Sequence, residues 1–263
     1  MLNELEKEMR NALATILKAY ETDVCKLTCE DKTCSSCGHR PIKDKVNFAI
    51  INADLKEQEG KNPKIKRGMF ITFEGPEGAG KSSVCTEVMK AFDNFVLVRE
   101  PGATPIGEKI RDMVHNDEMP DRSELFLFEA ARACLVDSVI EPALSSGKNV
   151  LCDRFFDSTT AYQGYGRGLS LGKIDSLNSF ATDGLTPDLT ILFDIDPAIG
   201  MNRKGKATDR IEAAGSDFHN RVRNGFLEMA KGSKRFVKVD ASKQLEEVVE
   251  EVGILIKTLF EKA

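Results

Sequence analysis

The sequence predicts an α/β fold, a parallel sheet between two helical layers, preceded by a small, mainly helical N-terminal region. Two observations carry this. From Gly68 onward, short apolar runs at 69–73, 95–98, 150–152, 189–193 and 236–239 alternate with helical patterns. Unbroken apolar runs mark strands buried on both faces, and alternation of strands with helices is the pattern of βαβ units. The region before Gly68 reads differently. Leu2, Leu5, Met9, Leu13, Ile16, Leu17 and Tyr20 recur at helical spacing, a cysteine-rich stretch follows, and residues 57–67 form a charged segment holding Gly60 and Pro63. That segment reads as a linker, so the expected division is 1–67 and 68–263.

Taken in order, the strand at 69–73 leads into a helix that begins near Lys81. The strand at 95–98 is followed by a helix over 105–114. A long helical pattern covers 123–144 and stops at Ser145-Ser146-Gly147, where glycine favours helix termination. After the strand at 150–152, residues 158–163 read as a short helix. An amphipathic helix over 245–260 follows the last strand. No internal repeat is visible.

Between the first strand and its helix stands Gly75-Pro76-Glu77-Gly78-Ala79-Gly80-Lys81-Ser82, a match to G-x-x-x-x-G-K-[ST] in the strand-to-helix context that the motif requires. Glycines let backbone N–H groups turn inward around phosphate oxygens, and the helix N-terminus adds partial positive charge. Lys81 brings a full charge to the β- and γ-phosphates, and the Ser82 hydroxyl suits Mg²⁺. The motif thus predicts a P-loop nucleoside-triphosphate fold.

Bulk properties narrow the class. The chain has 263 residues, 41% of them hydrophobic, and a net charge of −5. A core of ordinary size is available, and the mildly acidic balance argues against a nucleic-acid binder. No apolar run is long enough for a membrane span, and the N-terminus lacks the build of a signal peptide. Cys85, Cys134 and Cys152 lie in apolar or helical contexts, which reads as reduced thiols in a cytoplasmic protein. His115 and His219 read as surface residues.

Several further pieces, in order, carry a family resemblance: residues 73–83 around the phosphate loop, Arg99-Glu100-Pro101-Gly102, Phe128-Glu-Ala-Ala-Arg132, Asp153-Arg154, residues 158–164, Pro187-Asp-Leu-Thr190 and Asp209-Arg-Ile-Glu212. Over about residues 68–263 the chain resembles the bacterial-type thymidylate kinases. The resemblance implies transfer of the γ-phosphoryl group of ATP to dTMP with Mg²⁺, giving dTDP for dTTP supply. It implies that Gly75, Pro76, Glu77, Gly78, Ala79, Gly80, Lys81, Ser82, Ser83 and Arg203 bind ATP. Arg99 and Arg154 are implied at the acceptor phosphate, with Lys81, Glu77 and Arg210 completing the catalytic set. Phe128 stacks on thymine; Arg132, Ser158, Thr159 and Gln163 bind the base; Tyr162 packs on the sugar. Ser82, Asp153 and Glu212 are implied at the metal. The family also implies a homodimer formed through core helices.

Independent physical readings stand beside these. Arg99 follows a strand end, where parallel sheets bind ligands, and a planar fork suits a phosphate dianion; a surface ion pair is the alternative. Phe128 and Arg132 share a helix face at i, i+4, and a core aromatic with an exposed arginine is the alternative there. The segment 203–212 falls where the family places a lid. It offers Arg203, Lys204, Lys206 and Arg210, and which of them meets the transition state is open. Two other functions remain on this reading: a kinase for another nucleoside monophosphate, or an inactive nucleotide-binding regulatory protein.

The resemblance does not reach residues 1–67. Cys25, Cys29, Cys34 and Cys37 pack four thiols into thirteen residues, and such clustering favours a structural Zn²⁺. An iron–sulfur site, a redox-sensitive thiol cluster and plain reduced cysteines are the alternatives.

Overall fold

Five strands, β1 (Phe70–Glu74), β2 (Phe95–Arg99), β3 (Asn149–Asp153), β4 (Leu189–Asp194) and β5 (Phe236–Asp240), form one parallel sheet in the order β2-β3-β1-β4-β5. They are the five apolar runs expected from sequence, with ends moved by a residue. The computed structural model describes residues 66–205 and 209–262; all but the last two residues of the 1–67 region, including its four cysteines, lie outside the described residues.

Side chains alternate across the sheet with a period of two. Ile71, Phe73, Leu151, Ile191 and Phe193 point to one face, where they meet Val84 and Val88 of α1 (Lys81–Ala91) and Val248, Val252 and Ile256 of the C-terminal helix. Phe70, Val150 and Cys152 point to the other, against Leu135, Val136, Ile140 and Leu144. Both faces are therefore covered, as an all-parallel sheet requires.

The helix expected over 105–114 is α2 (Pro105–Asn116). It starts where Thr104 Oγ1 accepts from Gly107 N at 2.9 Å and Pro105 stands at the first helical position, a strong start signal. The pattern at 123–144 is not one α-helix. It is α3 (Asp121–Leu135), a π-helical stretch (Val136–Ile140) and α4 (Glu141–Ser145). Pro142 has no N–H to give to the ladder, and Ser138 Oγ takes the Cys134 carbonyl at 2.5 Å, so the backbone bonds there widen. The short helix expected at 158–163 is likewise split into α5 (Phe156–Thr159) and a π-helical turn (Thr160–Gly166). Next comes α6 (Leu171–Ala181), which the sequence reading missed. Only Ile174, Asn178 and Ala181 are buried on it, too sparse an apolar face to show a period. The remaining helices are α7 (Pro197–Lys204), α8 (Ser216–Gly232) and α9 (Leu245–Lys262).

Register puts the chemistry at one edge. Phe73 lies opposite Asp153, and Asp153 opposite Arg99, so the segments leaving β1, β2 and β3 start side by side at the carboxyl edge. β1 leads toward β2 on one side and β4 toward β5 on the other, which makes their junction the switch point where such sheets bind ligands.

Candidate active site

The phosphate loop is shaped by its glycines. Gly78 has φ +70°, and a Cβ there would stand 1.9 Å from the Gly200 carbonyl oxygen; any side chain would push the loop off α7. Gly80, at φ +81°, caps α1 in the left-handed region, where an L side chain is strained. The loop delivers Lys81, which is buried, with Nζ donating to the carbonyls of Gly75 (3.0 Å) and Pro76 (2.9 Å). Burial, followed by the charge of Arg154, pushes its ammonium down to about 8. Ser82 Oγ donates to Asp153 Oδ2 at 2.6 Å, while Asp153 Oδ1 is buried without a partner. A hydroxyl and a carboxylate with an orphan oxygen, side by side at the helix start, are hard oxygen donors of the kind Mg²⁺ takes.

Arg154 joins this loop to a neighbouring cavity. Its φ of +72° places a non-glycine residue in the left-handed region, an energetic cost that functional sites retain. Nη1 donates to Gly75 O (3.0 Å) and Ser158 Oγ (3.1 Å), Nη2 to Glu77 Oε1 (2.7 Å), and the guanidinium lies 5.0 Å from the Tyr162 ring centre. Glu77 also accepts from Tyr162 Oη at 2.9 Å. Burial pushes the Glu77 carboxyl up, but Arg154, Lys81 and Lys204 outweigh it and hold the group at about 2. Ser158 is fixed from behind: its Oγ donates to the buried Glu74 at 2.5 Å, and burial together with the charge of Asp157 raises Glu74 to about 8.

The cavity beyond is lined by Phe128, Arg132, Thr159, Tyr162 and Gln163, with Arg111 and Lys204 at its charged side. Phe128 is partly buried between two apolar clusters and still borders the cavity. Arg132 is not the exposed arginine of the alternative reading. It is 1% exposed, and all five N–H groups are used: two go to Glu100 Oε2 (3.0 and 2.8 Å), one to Glu129 Oε2 (2.8 Å), one to Asn178 Oδ1 (3.0 Å) and one to Thr159 Oγ1 (2.8 Å). Burial raises Glu100 to about 7 against the pull of Arg132. Gln163 Nε2 donates to Glu124 Oε1 at 2.8 Å.

Several expected site residues stand elsewhere. Arg99 does not line the cavity; Nη2 holds both oxygens of Glu108 at 3.0 Å on the exposed side of α2. Arg210 is turned to Glu124 and to the Val114 carbonyl. Arg203 donates to the carbonyls of Ala241 (2.6 Å) and Ser242 (2.8 Å), tying α7 to the loop after β5. Glu212 borders the cavity and pairs with Lys204, whose Nζ is 3.8 Å from Glu77 Oε2. Lys204 is thus the lid cation that faces the cavity, while Lys206 lies outside the described residues. His115 and His219 both depart from the surface assignment. His219 is buried, its Nε2 3.1 Å from the Glu212 carbonyl, and His115 borders the cavity, with its imidazolium disfavoured by burial.

Arg111, Glu100 and Glu124 were missed by the sequence reading. Gly107, Ile110 and Val114 form the buried face of α2, and Arg111 adjoins that stripe. This is the one sequence signal that marks it, since a cation beside the buried face of a helix at the sheet's carboxyl edge is placed to meet a ligand.

Comparison with known proteins gives the family. The thymidylate kinase family profile matches residues 73–252. A thymidylate kinase of Lactobacillus helveticus is 45% identical over 199 residues, covering 71% of this chain and 94% of that protein. One from Enterococcus faecalis is 45% identical over 197 residues, 70% of this chain and 93% of that protein. One from Deinococcus radiodurans is 44% identical over 197 residues, 72% of this chain and 96% of that protein.

Proposed function

The chain belongs to the thymidylate kinase family, and from that premise we propose how its cavity serves the reaction. The protein is a phosphotransferase that converts ATP and dTMP to ADP and dTDP. One observation supports the assignment of sites most directly: Arg154 is bonded both to the phosphate loop at Gly75 and to Ser158 of the cavity. A single guanidinium therefore spans the place where a donor and an acceptor phosphate come together.

On this reading the phosphate loop takes the ATP phosphates, Lys81 gives up the loop carbonyls for phosphate oxygens, and Arg203 orders the ATP side. Ser82 and Asp153 would hold Mg²⁺, which when bound supplies charge neutralisation and orientation of the phosphates. Phe128 stacks on the base, Ser158, Thr159 and Gln163 address its edges, and Tyr162 packs on the sugar. Arg111 takes the acceptor phosphate beside Arg154. Arg99 and Arg210 join by exchanging Glu108 and Glu124 for phosphate. Arg132 reaches the base by releasing Thr159 or Asn178, its two neutral partners. Glu77 and Glu212 hold the cations Arg154 and Lys204 in place.

Phosphoryl transfer asks for in-line positioning and charge neutralisation rather than covalent help. The attacking group is a phosphate oxygen already ionised near neutral pH, so neither His115 nor His219 is needed as a base. A lid carrying Lys204 onto the cavity also keeps water from the γ-phosphate. The test is ADP release with MgATP and dTMP, dUMP, dCMP, dGMP or AMP in turn. dTMP is expected to lead, and equal rates across the panel would overturn the assignment of the base cavity.

Three further proposals rest on sequence and family. A homodimer would form through the core helices. The protein would work in the cytoplasm; among the described residues no helix is long and apolar enough to cross a membrane. The run Cys25, Cys29, Cys34, Cys37 would hold structural zinc, for which stoichiometric metal in the purified protein is the check.

A further inference from the structure

The Glu124 carboxylate is fully buried in the first turn of α3, and beyond releasing Arg210 to phosphate it has no task in the transfer itself. Its Oε1 accepts from Gln163 Nε2 at 2.8 Å, and its Oε2 from Arg167 Nη2 (3.3 Å) and Arg210 Nη2. Burial pushes the Glu124 carboxyl up, but the bonds from Gln163, Arg210 and Arg167 hold it below the usual range, so it is ionised at neutral pH. An ionised carboxylate can only accept. The NH₂ end of Gln163 must therefore face Glu124, and its carbonyl Oε1 must face away.

That oxygen has somewhere to point. Gln163 borders the cavity. Among the described residues no hydrogen bond reaches its Oε1, and the atom is not one of the four buried polar atoms left without a partner; it keeps some exposure, on a side chain that borders the cavity. Phe128 lies one helical turn after Glu124 on α3, so one helix places both the stacking ring and the group that orients the amide.

We propose that Glu124 is a specificity-positioning residue: it locks the Gln163 amide with its oxygen toward the base, and so favours a pyrimidine that presents an N3–H donor over cytosine, whose N3 is an acceptor. The Watson–Crick edge is where such a pocket distinguishes bases. A site built to hydrogen-bond one edge rejects an analogue that leaves its groups unpaired. The inference rests on the cavity being the monophosphate site.

The test compares kcat/KM for dTMP, dUMP and dCMP in the wild type and in Glu124→Gln, whose own amide can meet Gln163 with either end. The dTMP:dCMP ratio is expected to fall roughly tenfold or more, and the dTMP:dUMP ratio to hold, because uracil keeps N3–H. A purely structural role would lower all three substrates together. In a Gln163→Ala background, Glu124→Gln should leave the dTMP:dCMP ratio unchanged. An unaltered ratio in Glu124→Gln, or a fall that persists without the Gln163 amide, would overturn the proposal. Should Glu124→Gln not fold, Gln163→Met removes the same acceptor; it should show the same fall, and an unchanged ratio there overturns the proposal too. Absence of dTMP turnover in the wild type would defeat the proposed function itself, whereas normal turnover with unchanged ratios defeats this inference alone.

Discussion

Filling the phosphate loop should change the protonation of Lys81. Without nucleotide, Nζ is buried against two carbonyls and faces the Arg154 charge, and its ammonium is pushed down to about 8. A triphosphate in the loop surrounds Nζ with negative charge, which favours the ammonium and returns its affinity for a proton to or above the ordinary lysine value. At pH 8 about half of the free protein carries neutral Lys81, so each ATP bound should draw in about 0.5 proton; at pH 7 the uptake is about 0.1, and at pH 9 about 0.9. The sign is fixed: uptake, growing as pH rises from 7 to 9. Calorimetric titration with MgATP in buffers of different ionisation enthalpy reads the number directly as a slope. Lys81→Met should bind weakly and show no such slope. A wild-type slope of zero across pH 7–9, or net proton release, would refute the burial argument for Lys81.

Phe128→Ala should raise KM for dTMP far more than KM for ATP, by about tenfold for a lost stacking ring; small, equal changes would return Phe128 to a packing role. Asp153→Asn should raise the Mg²⁺ concentration needed for half-maximal rate several-fold, since the orphan Oδ1 loses its charge; an unchanged Mg²⁺ dependence would remove Asp153 from the metal site. Arg111→Ala should cost about 2–3 kcal/mol in kcat/KM for dTMP, the loss of a charge-assisted bond to phosphate, and an effect confined to ATP would place Arg111 on the other nucleotide.

Much of this molecule could be read from local pattern. The strands were visible because a sheet covered on both faces demands unbroken apolar runs, and the loop at 75–82 because phosphate binding demands glycine at fixed spacing. What escaped was set by contacts far apart in the chain. For Arg132, implied at the base by resemblance, an exposed arginine beside Phe128 was the alternative, yet Glu100 and Asn178, 32 and 46 residues away, hold it buried. Arg210 reads as a free lid cation, but Glu124, 86 residues distant, holds it. His219 sits in a polar sequence and is buried all the same, with its Nε2 3.1 Å from the Glu212 carbonyl in the chain before α8. The break at 136–140 turned on one proline and one serine hydroxyl, details that helical periodicity does not register.

The account stands on the cations of the phosphate loop and of the adjoining cavity converging on two nucleotides. A crystal structure with a bisubstrate analogue, adenosine joined to thymidine through five phosphates, measures that directly. Thymine should lie on Phe128 with N3–H toward Gln163 Oε1, and the phosphate chain should run from Lys81 past Arg154 to Arg111. Thymine bound elsewhere, or a phosphate chain that touches neither Lys81, Arg154 nor Arg111, would contradict it.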